Sequence, residues 1–203
     1  NTIPAGFTQL SAPTGGTGVY SYQWQSSPDN STWSDISGAT SSTYTSVALT
    51  SNTYFRRNVT SGTCGTVSST SFLVTVRADL TAGSVGSAQT ICYNTIPAAF
   101  TQLSAPTGGT GVYTYQWQSS PDNSTWSNIT GATSSTYTSV ALTSSTYFRR
   151  NVTSGTCGTV SSASFLITVY ANLTPGSVGS AQTICYSTAP AGFTELTAPT
   201  GGT

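Results

Sequence analysis

The chain has 203 residues, 5% of them charged (five Arg, four Asp and one Glu), and contains no Lys, His or Met; an ordinary globular protein is roughly a quarter charged. A formal net charge of zero leaves no cationic cluster to engage nucleic acid or an anionic membrane, and the missing His removes the commonest general base. The hydrophobic share of 36% is low but sufficient for a core, which argues against disorder.

In chain order, Pro13-Thr14-Gly15-Gly16 forms the first clear turn signal. Val19 to Gln25 then alternates, with Tyr20, Tyr22 and Trp24 on one face, and predicts a strand. Pro28-Asp29-Asn30 is the next turn. Thr53 to Val59 predicts a second strand, with Phe55 and Val59 on one side and Arg56 on the other. Ser71 to Val76 predicts a third, grouping Phe72, Val74 and Val76. No window carries a capped 3.6-residue apolar period, so the chain reads as all-β. No apolar run approaches the roughly 18 residues of a membrane span, and no signal peptide is visible. With Asn1 at one end and a Gly/Thr turn at the other, the sequence reads as a window of a longer chain.

Internal repetition sets the organisation. Asn1-Thr2-Ile3-Pro4-Ala5-Gly6-Phe7 returns at Asn94 to Phe100, and a third copy opens at Ser187. Positions 1–93 and 94–186 differ at ten places, including Ser21/Thr114, Asp35/Asn128, Val74/Ile167, Arg77/Tyr170 and Ala82/Pro175. A 93-residue period has the size of one β-sandwich domain rather than of a solenoid unit. Ala78 to Gly83 and Ala171 to Gly176 follow the last strong strand of each copy and read as linkers. This predicts a first repeat over 1–80 lacking its first strand, a complete repeat over 81–173, and the beginning of a third over 174–203.

Four Cys allow three pairings. Cys64–Cys157 joins equivalent positions of neighbours and cannot recur along an array. Between the other two, the final strand of a repeat carries Cys185 roughly 35 Å from Cys157, whereas a disulfide needs Cα atoms within about 7 Å. This favours Cys92–Cys157, with Cys64 and Cys185 paired outside the window, and an oxidising compartment. Free buried thiols are the competing reading. No Cys-x-x-Cys spacing suggests a metal.

Several motifs together resemble a known family. They are Thr90-Ile91-Cys92-Tyr93, Gly111-Val112-Tyr113-Thr114-Tyr115-Gln116-Trp117-Gln118 and Trp126-Ser127-Asn128-Ile129-Thr130-Gly131. Ser135-Thr136-Tyr137, Thr146-Tyr147-Phe148-Arg149-Arg150 and Thr156-Cys157-Gly158 complete the set. The sequence is similar to the Ig-like tandem repeats of giant Bacteroidota (Cytophaga–Flavobacterium) adhesin-like surface proteins, which are cargo of type IX secretion. The resemblance implies tandem Ig-like β-sandwiches, a site on the bacterial outer surface, and an early Cys paired with one near the last strand. It implies no catalytic residues.

Trp24 and Trp117 then correspond to the core Trp of an Ig sandwich, and Tyr54 and Tyr147 to its tyrosine corner. Trp33 and Trp126 follow a turn and are the candidate glycan contacts, set against a half-buried place on an edge strand. Arg56-Arg57 and Arg149-Arg150 must face opposite ways on a strand, which suits stacking on aromatics better than a joint anion cradle. Calcium is disfavoured, since the second copy keeps only Asp122 in its turn while Asp35 and Asp79 become Asn. Without His or Lys, and with too few paired acids, neither triad chemistry nor paired-carboxylate hydrolysis is available.

The expected function is structural, a stalk or spacer that presents a distal element of a secreted surface adhesin, with no catalysis, metal or cofactor. Its partners would be neighbouring repeats of the same chain, and the secretion machinery during export. Weak glycan binding multiplied by repetition, or assembly of copies into a filament through edge strands, are the alternatives.

Overall fold

The computed structural model describes residues 3–202. The chain forms two compact units, Asn1–Arg77 and Ala78–Thr203, and it is all-β, built as tandem β-sandwiches.

In the first unit, β1 (Ser21–Ser27) lies between β2 (Ser34–Asp35) and β3 (Thr53–Thr60). Two further strands, β4 (Thr66–Ser68) and β5 (Phe72–Val74), pair with opposite ends of β3. All these pairings are antiparallel, with Trp24 opposite Arg57 and Ser26 opposite Phe55.

The second unit repeats this sheet and adds to it. It opens with β6 (Ser84–Val85), β7 (Gln89–Ile91) and β8 (Gln102–Ser104). The main strands are β9 (Thr114–Ser120), β10 (Ser127–Asn128), β11 (Thr146–Thr153), β12 (Thr159–Ser161) and β13 (Phe165–Val169). The sheet runs β10-β9-β11-β13-β7, with β12 on the far end of β11. The β7–β13 pairing is parallel and matches Ile91 with Val169. Facing this sheet are the β6–β8 pair and the bridged segments Thr95–Leu142 and Phe100–Tyr137. Between the layers lie Val85, Phe100, Trp117, Ala132, Phe148 and Ile167, all buried. Strand alternation explains the choice: Phe148, Arg150 and Val152 point inward from β11 while Tyr147, Arg149 and Asn151 point outward.

The chain enters each copy at a leading end and leaves at a trailing end. Gly109 N donates to Ala78 O at 2.8 Å, and Thr81 bridges Thr107, which places the start of the copy beside the β8–β9 connection. In the third copy β14 (Ala171–Thr174) pairs with β17 (Thr200–Gly202), and β15 (Ser177–Val178) with β16 (Glu195–Thr197). The segments read as linkers are therefore structured parts of the copy that follows them. The expected cuts after 80 and 173 fall inside it: the unit boundary lies at Arg77/Ala78, and β14 spans the second cut. Their single Leu among Ala, Asp or Asn, Thr, Pro and Gly gave no strand signal, because what orders them is non-local pairing.

Candidate functional site

Trp117 is fully buried, and its Nε1 donates to Ser134 O at 3.0 Å; Trp24 is 5% exposed and donates to Ser41 O at the same distance. Behind the Trp lies a buried cation. Arg150 is 0% exposed and stacks over Tyr115 at 4.6 Å from the ring centroid. Its Nη1 donates to Ser135 O at 2.6 Å and Gln102 Oε1 at 3.0 Å, and its Nη2 to Ala82 O at 3.1 Å, while Nε has no partner. Burial pushes the Arg150 pKa down from the usual arginine value, and the charge interaction with the Tyr115 phenol group offsets part of that. The inward guanidinium thus ties three separate segments to β11. Arg57 repeats the arrangement with Tyr22, Ser42 O and Gln9.

Tyr54 and Tyr147 do not make the expected tyrosine corner. They sit on the outer side of β3 and β11, half-buried, and neither hydroxyl forms a hydrogen bond among the described residues. The corner belongs to Tyr20 and Tyr113, whose hydroxyls donate to the carbonyls of Gly15 and Gly108, five residues upstream, at 2.7 and 2.9 Å. A Gly-Gly-Thr-Gly-Val-Tyr run that must fold back on itself was the signal available for it.

The outer face of the second copy carries a polar ladder. Asn128, Gln118 and Arg149 face one another across β10, β9 and β11. Arg149 Nε donates to Gln118 Oε1, and Gln118 Nε2 to Asn128 Oδ1, each at 2.8 Å. The Arg149 guanidinium lies over the Trp126 ring at 4.2 Å, and Arg56 over Trp33 at the same distance. Trp33 and Trp126 are half-buried, and one indole face of each is occupied by a cation. The sequence reading named the tryptophans but missed Gln118 and Asn128, whose alignment depends on cross-strand register. This ladder is the nearest thing to a recognition surface, able to offer planar hydrogen-bonding groups but no acid, base or nucleophile.

At the trailing end, Asp122 closes its own turn. Its Oδ1 accepts from Ser124 N at 2.9 Å, Thr125 N at 2.7 Å and the Ser120 hydroxyl at 2.8 Å. The backbone N–H of Thr125, with further donors, holds its carboxyl far below the usual carboxylate range. Among the described residues no group of three or more His, Cys, Asp or Glu is arranged to hold a metal ion.

The cysteines correct another expectation. All four are exposed free thiols, and the register separates Cys92 from Cys157. Cys92 follows Ile91, which pairs with Val169, and Val169 N reaches Ser145 beyond the start of β11. Cys157 ends a 3-10 turn (Gly155–Cys157) beyond the other end of β11. About ten residues of strand, or roughly 33 Å, lie between them, far outside disulfide range. The segment from Ala78 to Cys92 crosses the whole sandwich, so Cys92 reaches the end opposite Cys157.

A family profile matches residues 1–78 and 81–171, one match for each copy. No curated protein matches the chain. Among solved structures, the crystal structure of chicken CNTN1 FN1-FN3 domains is similar at 15% identity with a TM-score of 0.34, over 76% of this chain and 57% of that one. The chain thus spans a little over half the length of that structure. With the profile covering both copies almost end to end, the chain belongs to the family described as Domain of unknown function (DUF8696).

Proposed function

We propose that the chain is a run of spacer repeats in the stalk of an exported bacterial surface protein, holding a distal element away from the cell. The observation that carries this reading is the near-identity of the copies. Ten substitutions in 93 positions leave every core aromatic, the inward Arg and the turn Asp in place. The outer face differs little more, and it presents no acid–base or nucleophilic pair, which suits a spacer better than an enzyme. Low charge makes the surface insensitive to salt. The outer-surface location and the type IX export route rest on the motif resemblance.

Small-angle scattering on chains of increasing copy number tests the reading. The longest dimension is expected to grow by an equal increment per copy, with no saturable binding on a glycan array. Saturable binding that disappears in Trp126→Ala would replace the spacer with the glycan reading, and a dimension that stops growing with copy number would also overturn it.

A further inference from the structure

We propose that successive repeats are stapled by a disulfide between the trailing-end cysteine of one copy and the leading-end cysteine of the next. For Cys92, the partner is the counterpart of Cys157 one 93-residue period further on, wherever the repeat continues. The inference rests on register and repetition and stands without the stalk reading, since a stapled array would serve a ligand-binding protein equally.

The geometry within the second and third copies converges on one peptide step. Ile91 pairs with Val169, and Tyr170 N donates to Ile91 O at 3.0 Å, so Cys92 lies alongside Tyr170. The next residue, Ala171, is already the first of β14 and pairs with Gly202. Gly202 corresponds to Gly109 and Gly16 in the earlier copies. At Gly16, an added Cβ would lie 3.8 Å from the Cβ of Cys64, the leading-end cysteine of its copy. The leading-end cysteine therefore sits beside the glycine that pairs with the first residue of its copy. By analogy with Cys64 beside Gly16, a continued third copy would bring its leading-end cysteine to about one strand spacing plus one side-chain contact from Ala171, while Cys92 lies alongside Tyr170, so both fall at the junction of the two copies. A disulfide further requires a Cα separation of roughly 4.4–6.8 Å, which the oxidation test below reads.

The pairing also recurs without conflict, because each copy contributes one cysteine at each end. Both are exposed and reachable by a small oxidant. The chemistry needs a low-molecular-weight disulfide such as oxidised glutathione. One protein thiolate attacks it, forming a mixed disulfide and releasing one thiol. The second protein thiolate displaces the other half, so two protons and two electrons leave the protein and the oxidant becomes two thiols.

The test extends the full chain past Thr203 with a copy of residues 111–186, which completes the third repeat, and exposes it to oxidised glutathione. Peptide mapping without reduction is expected to recover one bond within the monomer, joining Cys92 to the added copy of Cys157. Cys157→Ser should leave that bond intact, whereas Cys92→Ser should abolish it. The unextended chain should keep all its thiols. A Cys92–Cys157 bond, an intramolecular bond in the unextended chain, or full retention of thiols in the extended one would overturn the proposal.

Discussion

Arg150 and Arg149 are adjacent and chemically identical, yet strand alternation gives them different energetic roles. Arg150 satisfies Ser135 O, Ala82 O and Gln102 from inside the sandwich. Its removal leaves those acceptors buried and opens a void. Arg150→Ala should therefore cost about 3 kcal/mol in denaturant unfolding, and Arg150→Lys should not restore it, because a single ammonium cannot reproduce the planar fork. Arg149→Ala removes a half-exposed stack and should cost under about 1 kcal/mol. Equal losses would mean that the inward guanidinium does not tie the layers together. Asp122 gives the pH counterpart. Its carboxyl titrates well below the ordinary carboxylate value in the folded state, so it binds a proton more readily when unfolded. The stabilisation is present above about pH 4 and is lost as pH falls further, through the folded-state value. Asp29 is held in the same way by Thr32 and Ser31. Acid titration of thermal stability should show a decline below pH 4 that is shallower in Asp122→Asn.

Among the elements, the incoming segment Ala78–Thr81 does more than the sequence suggested, and glycines report it. Gly108 has φ +76°, and a Cβ there would overlap the carbonyl oxygen of Asp79. Gly111 has φ +82° with nothing within 4 Å of the same position. Both Ala variants carry the backbone penalty of about 1–2 kcal/mol, but only Gly108→Ala should also push the incoming segment off. It is expected to cost at least about 1 kcal/mol more than Gly111→Ala by urea midpoint; equal costs would show that docking of this segment contributes nothing. The contrast explains what could be read in advance. β1, β3, β9 and β11 announce themselves through period-2 aromatics such as Tyr115 and Trp117, a property local to each strand. β6, β8 and β14 are two- to four-residue strands with a single Val or Leu each among Ser, Gln, Ala, Asn and Thr, held by pairing with residues about 20 to 30 positions away. The same limit affected the site: no local pattern says that β7 runs parallel to β13, and that direction puts Cys92 at the trailing end.

At the scale of the whole chain, the edge of the second unit's sandwich is closed by residues far away in sequence. There β7 adds to β13, and the turn after β6 covers Phe165 so closely that a Cβ on Gly86 would overlap its ring. Phe165 packs edge-on against Phe100 and stacks with Phe148, so the turn reaches the core through it. Gly86 has φ +61°, and an Ala there carries a backbone penalty of about 1–2 kcal/mol besides displacing the turn or the ring. Gly86→Ala should therefore loosen the β7–β13 edge of the sheet more than its centre. Amide hydrogens of β13 are expected to exchange at least about tenfold faster in the variant, read by mass spectrometry, with those of β9 changed less. Unchanged protection in β13 would mean that the turn after β6 adds no stability to the sandwich.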